Sequence, residues 1–173
     1  SWNDPTVESQ VAKALIERGC DVISQHSDST APATTAEEYG AWQVGYNNDM
    51  IKAAPNASLI SARIDWGISV TEAVQAVIDG KTIPTDWCKG LADGAVYLSP
   101  LNTAIAAEGT QEAIDAAAEK LKSGKLHVFA GPLKGTSPDG ETIEIKEGEY
   151  YHEQEEASAP SWCYIIEGCN VVE

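Results

Sequence analysis

Apolar positions recur at helical spacing between Pro5 and Arg18, where Val7, Val11, Ala14 and Leu15 share one face. Asp4 stands where an N-cap belongs, Pro5 fits the first helical position, and Gly19 ends the run. The short β-branched run from Asp21 to Ser24 then reads as a strand opening into the polar loop Gln25 to Thr30. Thr34 to Tyr39 predicts a short helix closed by Gly40, Trp42 to Tyr46 a second strand, and Ser58 to Ile64 a third, reached through a loop from Asn47 to Ala57. Strands and helices alternating over short connections are the grammar of an α/β parallel sheet with right-handed crossovers.

The second half changes character. Gly67 to Asp79 sets Val70, Ala73, Val74 and Val77 on one helical stripe, ended by Gly80 and followed by Pro84. Val96 to Leu98 reads as a strand, Thr110 to Leu121 as an alanine-rich helix with Thr110 as its cap, and Leu126 to Ala130 as a further strand. From Gly135 the pattern becomes a hairpin, with Pro138-Asp139-Gly140 as the turn between Lys134 and Ile143-Glu144-Ile145.

Composition narrows the function classes. The 173 residues, 43% of them hydrophobic, suffice for one domain or two small lobes. Twenty-seven acidic against eleven basic side chains give a net charge of −16, which repels phosphodiester backbones and anionic lipid surfaces. Nucleic acid is therefore not an expected partner. No stretch approaches the roughly 20 consecutive apolar residues of a membrane span. Residues 141–173 hold nine acidic residues and one basic residue, half of the charge excess. The four cysteines, Cys20, Cys88, Cys163 and Cys169, contain no CxxC; pairing of Cys163 with Cys169, pairing of Cys88 with either, and free thiols all remain open. The chain starts at Ser1 within a few residues of a helix, so a removed leader or a fragment is expected, with a strand missing upstream.

Candidate chemistry is sparse and points to binding. There is no GxSxG, Walker loop, GxGxxG or HExxH, so no enzyme, cofactor or metal site is expected. His127 falls in the expected apolar strand and reads as a hydrogen-bonded core residue, and His152 as a solvated one. Glu153, Glu155 and Glu156 read as a solvated face in preference to a cation site. By contrast, ligand-recognising side chains of a parallel sheet collect beyond the carboxyl ends of its strands. His26 and Asp28 lie there, as does Asp49, whose carboxylate can accept hydrogen bonds from the vicinal hydroxyls of a ribose or another sugar. Trp2 and Trp66 belong to the same expected rim, where flat apolar rings suit stacking on a planar ligand.

Several ordered segments carry a resemblance across most of the chain: Trp2-Asn3-Asp4-Pro5, Gly19 to Asp28, Gly45-Tyr46-Asn47-Asn48-Asp49-Met50, Thr71 to Gly80, Gly90 to Pro100 and Gly124 to Leu133. Together they resemble the BMP family of ABC-importer substrate-binding proteins. The resemblance implies a type I periplasmic binding protein fold of three-layer α/β/α lobes, with a purine nucleoside or similar small polar ring enclosed between two of them. It implies an ABC permease as partner, a periplasmic or extracellular location and, in many members, a lipid anchor. Residues 1–64 would form the second lobe without its first strand, and 65–173 the crossover, segments completing the first lobe, and an acidic tail. The N-terminal half of the fold would be missing. Asp49 would hold the ribose, with Trp2, His26 and Asp28 lining the cleft; Ile64-Asp65-Trp66 departs from the lysine that many nucleoside binders carry there. Two rivals are the effector-binding core of a transcriptional regulator of the same fold, and an enzyme using His26 and Asp28 as acid and base.

Overall fold

The computed structural model describes residues 2–153 and 158–171. Its first helix, α1, spans Pro5–Glu17; the Asp4 carboxylate accepts the Val7 N–H at 3.1 Å, and Pro5 opens the helix where its missing donor costs nothing. Strands β1 (Val22–Ser24), β2 (Trp42–Tyr46) and β3 (Ser58–Ile64) pair in parallel, with Val22 opposite Trp42 and Gly45 opposite Ser61. Helix α2 (Ala31–Tyr39) joins β1 to β2. It begins three residues before the predicted start because Pro32 suits a first helical turn and the Ser29 hydroxyl accepts the Ala31 N–H at 3.2 Å.

The parallel α/β pattern is thus as the sequence predicts, and small side chains hold it together. Helices α1 and α2 pack on each other and on β1, enclosing Ala12, Ile23, Ala33, Ala36, Ala41, Met50, Ala54 and Ala57. Alanines contribute little hydrophobic area each but let helix and sheet approach closely, so this core depends on fit more than on bulk. The tightest point is Gly45: a Cβ there would lie 2.2 Å from Ser61 Oγ and 2.8 Å from Met50 Cγ.

Past β3 the chain forms α3 (Trp66–Ile78), one residue earlier than predicted because the Asp65 carboxylate accepts the Gly67 N–H at 2.8 Å. Helix α3 buries none of its residues and leaves the stripe of Val70, Val74 and Val77 open to solvent. Its partner is the following segment, where Trp87 Nε1 donates to Glu72 at 2.7 Å. Strand β4 (Val96–Leu98) then returns antiparallel to β3, with Arg63 opposite Tyr97, giving a sheet ordered β1-β2-β3-β4. The boundary at residue 64 therefore does not end this sheet.

Two predicted details differ. Helix α4 (Thr110–Lys122) is capped by Gly109, whose φ of 82° suits a residue without Cβ, and Thr110 is the first helical residue instead of the cap. Leu126 to Ala130 forms no strand: no neighbouring strand offers it a ladder, and only Ala130 makes a single bridge, to Tyr150. The predicted hairpin is present as β5 (Leu133–Thr136) and β6 (Thr142–Ile145), and β7 (Ile165–Ile166) pairs on the other edge of β5. The C-terminal region thus contains a small antiparallel sheet. Among the described residues no helix is long and apolar enough to cross a membrane.

The contact at Gly45 sets a test of the sheet. Gly45→Ala forces Ser61 or Met50 to move, and urea unfolding is expected to show a loss of about 1–3 kcal/mol. A Gly45→Ala protein as stable as the parent would mean that the β2–β3 spacing is not constrained there.

Candidate functional site

Because β1, β2 and β3 run parallel, their carboxyl ends deliver the loops beginning at Gln25, Asn47 and Asp65 to one rim of the sheet. Three of the predicted residues meet there. The Asp28 N–H donates to the Trp2 carbonyl at 2.8 Å, tying the segment before α1 to the loop after β1. The Trp2 ring lies 5.7 Å from that of His26, tilted by 56°, and His26 lies 4.1 Å from Tyr46, tilted by 52°. Three rings therefore form a row, with Trp2 exposed at 66%.

Tyr46 is a member of this row that the sequence reasoning did not select. Its signal was its place as the last residue of β2, directly before the polar run that carries Asp49.

Buried polar groups hold the row in place. Gln25 Nε2 donates to the carbonyls of Ser27 and Ser29, both at 2.9 Å, while its Oε1 accepts from Gln43 Nε2 at 2.8 Å. The buried Glu8 of α1 accepts the Asp4 N–H at 2.7 Å through Oε1 and the Ser29 hydroxyl through Oε2. Burial pushes the Glu8 carboxyl upward, but hydrogen bonds from Ser29, Asp4 and Ser27 outweigh it and hold the group below its ordinary value of 4.5.

Asp49 follows on the same rim. Its carboxylate accepts the Ile51 N–H at 3.1 Å and caps the 3-10 turn Met50–Lys52. One carboxylate oxygen capping a turn leaves lone pairs for further donors. Asn47, at φ 61°, turns the chain into this loop, and its N–H donates to the Ala62 carbonyl at 2.7 Å. Trp66 sits beyond β3 as the first residue of α3, 61% exposed and in no ring contact with Trp2 or His26. The rim thus offers aromatic faces, a carboxylate and amides, a set suited to holding a small polar ring.

The remaining candidates lie elsewhere. His127 is not a strand residue in a core: it is half-buried and stacks on Tyr150 at 3.4 Å with the planes 1° apart. Ring stacking replaces the burial that a sheet partner would have supplied. His152 is exposed, its ring 4.1 Å from that of Tyr150 and tilted by 37°. Glu153 accepts from the Ser161 N–H and hydroxyl, both at 2.6 Å, while Glu155 and Glu156 lie outside the described residues. All four cysteines are free and exposed.

A family model described as ABC transporter substrate-binding protein PnrA-like matches residues 1–128, which include the whole rim. The chain belongs to this family. It is a family of transport binding proteins, not of enzymes. A purine-binding protein of Brucella abortus is 35% identical over 134 residues, covering 78% of this chain and 38% of the relative. A Haloferax volcanii protein named as an ABC transporter glucose-binding protein is 30% identical over 131 residues, covering 76% and 33%. The PnrA-like chain thus spans less than half the length of these relatives. Among solved structures, an ABC transporter solute-binding protein from Conexibacter woesei superposes with a TM-score of 0.53 at 20% identity, covering 73% of this chain and 43% of the other. A transcriptional activator of the comK gene from Bacillus halodurans gives 0.64 at 16% identity, covering 74% and 46%. Both likenesses establish the fold alone.

The Glu8 tie makes the PnrA-like rim sensitive to acid. With its folded pKa below its unfolded one, Glu8 contributes its full stabilisation above about pH 5 and loses it as the pH falls through the folded value. Glu8→Gln is expected to cost about 1–3 kcal/mol near neutral pH, with the gap to the parent closing as the pH falls below 4. Denaturant titrations at several pH values check this; a gap independent of pH would remove the ionised carboxylate as its source.

Proposed function

We propose that this chain captures a purine nucleoside, or a similar small polar ring compound, and presents it to an ABC permease from the outer side of the membrane, as a periplasmic or extracellular, lipid-anchored protein. The observation that carries the reading is the rim, where the Trp2, His26 and Tyr46 row and Asp49 stand on adjoining loops. A heterocyclic base stacks on rings, and a ribose diol donates to a carboxylate. The purine-binding relative supports the ring; the relative named for glucose supports the hydroxyl-recognising part of the same site.

In this reading the ligand is enclosed between two lobes. Residues 1–64 supply most of one, and the chain crosses back beyond Asp65 toward the other, with β4 returning to the first sheet. Two exposed features support a partner for this half of the fold. One is the bare valine stripe of α3. The other is the free edge of β1, beside a groove of 440 Å³ whose lining includes Val7, Val11, Leu15 and Ile23. Asp28 and Trp66 would then line the cleft with the row, and ligand contacts to both lobes would favour the closed state by differential affinity. An effector-binding core would use the same geometry, but membership of a transport family favours the importer.

Calorimetric titration of the full-length protein with inosine, guanosine, adenosine and glucose tests the reading. Asp49→Asn keeps an acceptor for the Ile51 N–H but removes the charge, so it separates capping from binding. It is expected to weaken nucleoside binding by about tenfold or more, the loss of one charge-assisted hydrogen bond. Unchanged affinity in both Asp49→Asn and Asp49→Ala would take Asp49 out of the site.

A further inference from the structure

At the end of the sheet away from the rim, Asn56-Ala57-Ser58 sets an asparagine two residues before a hydroxyl, with no proline between. Of the six asparagines in the chain, only Asn56 stands in this pattern. The pattern is the acceptor of N-linked glycosylation, in which a transferase reads the hydroxyl while the asparagine takes the sugar.

The fold gives these two residues opposite settings. Asn56 is exposed in the turn that leads into β3. Its backbone N–H and its Nδ2 donate to the two carboxylate oxygens of Glu37 on α2, at 3.0 and 2.9 Å. One Nδ2 hydrogen is thus used, and the other has no acceptor among the described residues, so a sugar can replace it while the contact to Glu37 stays. Ser58 opens β3 and is fully buried. Its N–H donates to the Ala54 carbonyl at 2.9 Å and its carbonyl accepts Asn102 Nδ2 at 3.0 Å, but its hydroxyl has no hydrogen-bond partner among the described residues. Gln43, its register partner on β2, does not take it either, and keeps its own Oε1 buried without a partner. A buried hydroxyl left unpaired costs stability, and alanine would fill nearly the same space without that cost. The folded state has no use for this oxygen; a transferase reading the unfolded chain does.

We infer that Asn56 is an N-glycosylation site, modified before β3 joins the sheet. Once the strand is seated, Ser58 is covered and the motif cannot be read. The co-reactant is a lipid-phosphate-linked oligosaccharide. Nδ2 of Asn56 forms a C–N bond to the anomeric carbon, the C–O bond to the lipid phosphate breaks, and the phosphate leaves with the electron pair and takes up the proton that Nδ2 loses. Asn56 precedes the amino end of β3, whereas the rim lies beyond the carboxyl ends. Seven residues of strand at about 3.3 Å each place the sugar roughly 20 Å from the ligand loops, so the glycan leaves the rim open. The inference rests on the reading of this protein as one exported to the outer side of the membrane.

The test recovers the full-length protein from its native host, fractionates the cells, and examines the tryptic peptide Ala53–Arg63 by tandem mass spectrometry. The exported parent is expected to carry a glycan on Asn56; Asn56→Gln and Ser58→Ala should lose it, and Ser58→Thr should keep it. An unmodified peptide from exported protein overturns the site and leaves the outer location standing. Protein found only inside the cell overturns the location and the site with it. Parent and Ser58→Ala, both made in a host without the transferase, are then unfolded in urea. The variant should have a midpoint no lower than the parent, and a lower one would overturn the assignment of the Ser58 hydroxyl to the transferase. Inosine affinity should be the same within about twofold for Asn56→Gln and the glycosylated parent; a larger difference overturns the placement of the sugar away from the rim.

Discussion

Parallel pairing of β1, β2 and β3 is the constraint on which the rest depends. Strands that run the same way place all their carboxyl ends at one rim, so three loops far apart in sequence become neighbours. The pairing in turn requires small residues at the contacts, with Gly45 against Ser61 and Met50, and alanines where α1 and α2 meet the sheet. A larger residue at Gly45 would move β3 relative to β2 and thereby shift the loops that follow the two strands.

Polar groups inside this half of the molecule hold loops more than they stabilise a core. Gln25 spends both amide hydrogens on the loop that carries His26, and Glu8 joins the start of α1 to Ser29. The arrangement is not free of cost: Gln43 Oε1 and the Ser58 hydroxyl are buried without a hydrogen-bond partner among the described residues, each a penalty of about 1–3 kcal/mol. A buried network of this kind fixes geometry at some expense of stability, which suits a rim whose rings must stand at set distances.

The second half is built differently. Helices α3 and α4 bury no residue, and the C-terminal region is organised by the antiparallel sheet and by rings: Phe129 stacks on Trp162 at 3.8 Å, and Tyr151 and Tyr164 meet Trp162 edge-on. Apolar area left open along α3 is surface of the kind that proteins normally cover. The acidic excess of residues 141–173 lies in a region separate in sequence from the rim, so it bears on which partners are repelled and little on what the rim holds.

Local physics was legible in the sequence. Periodicity gave β2, β3 and β4 with their ends in place, and cap chemistry gave the start of α1, because the Asp4–Pro5 signal and strand alternation act over a few residues. The rim positions of His26 and Asp28 followed from the rule about strand ends, which needs only the order of elements. What depended on partners was not legible. Leu126 to Ala130 is apolar enough for a strand but has no neighbour to pair with, and His127 finds a tyrosine ring instead. Tyr46 joins the ring row only because strand pairing sets which side chains meet across a long stretch of chain. Sequence by itself determined which elements form and where their loops emerge; tertiary structure decided which side chains those loops bring together, because contact is a property of register and packing and not of pattern.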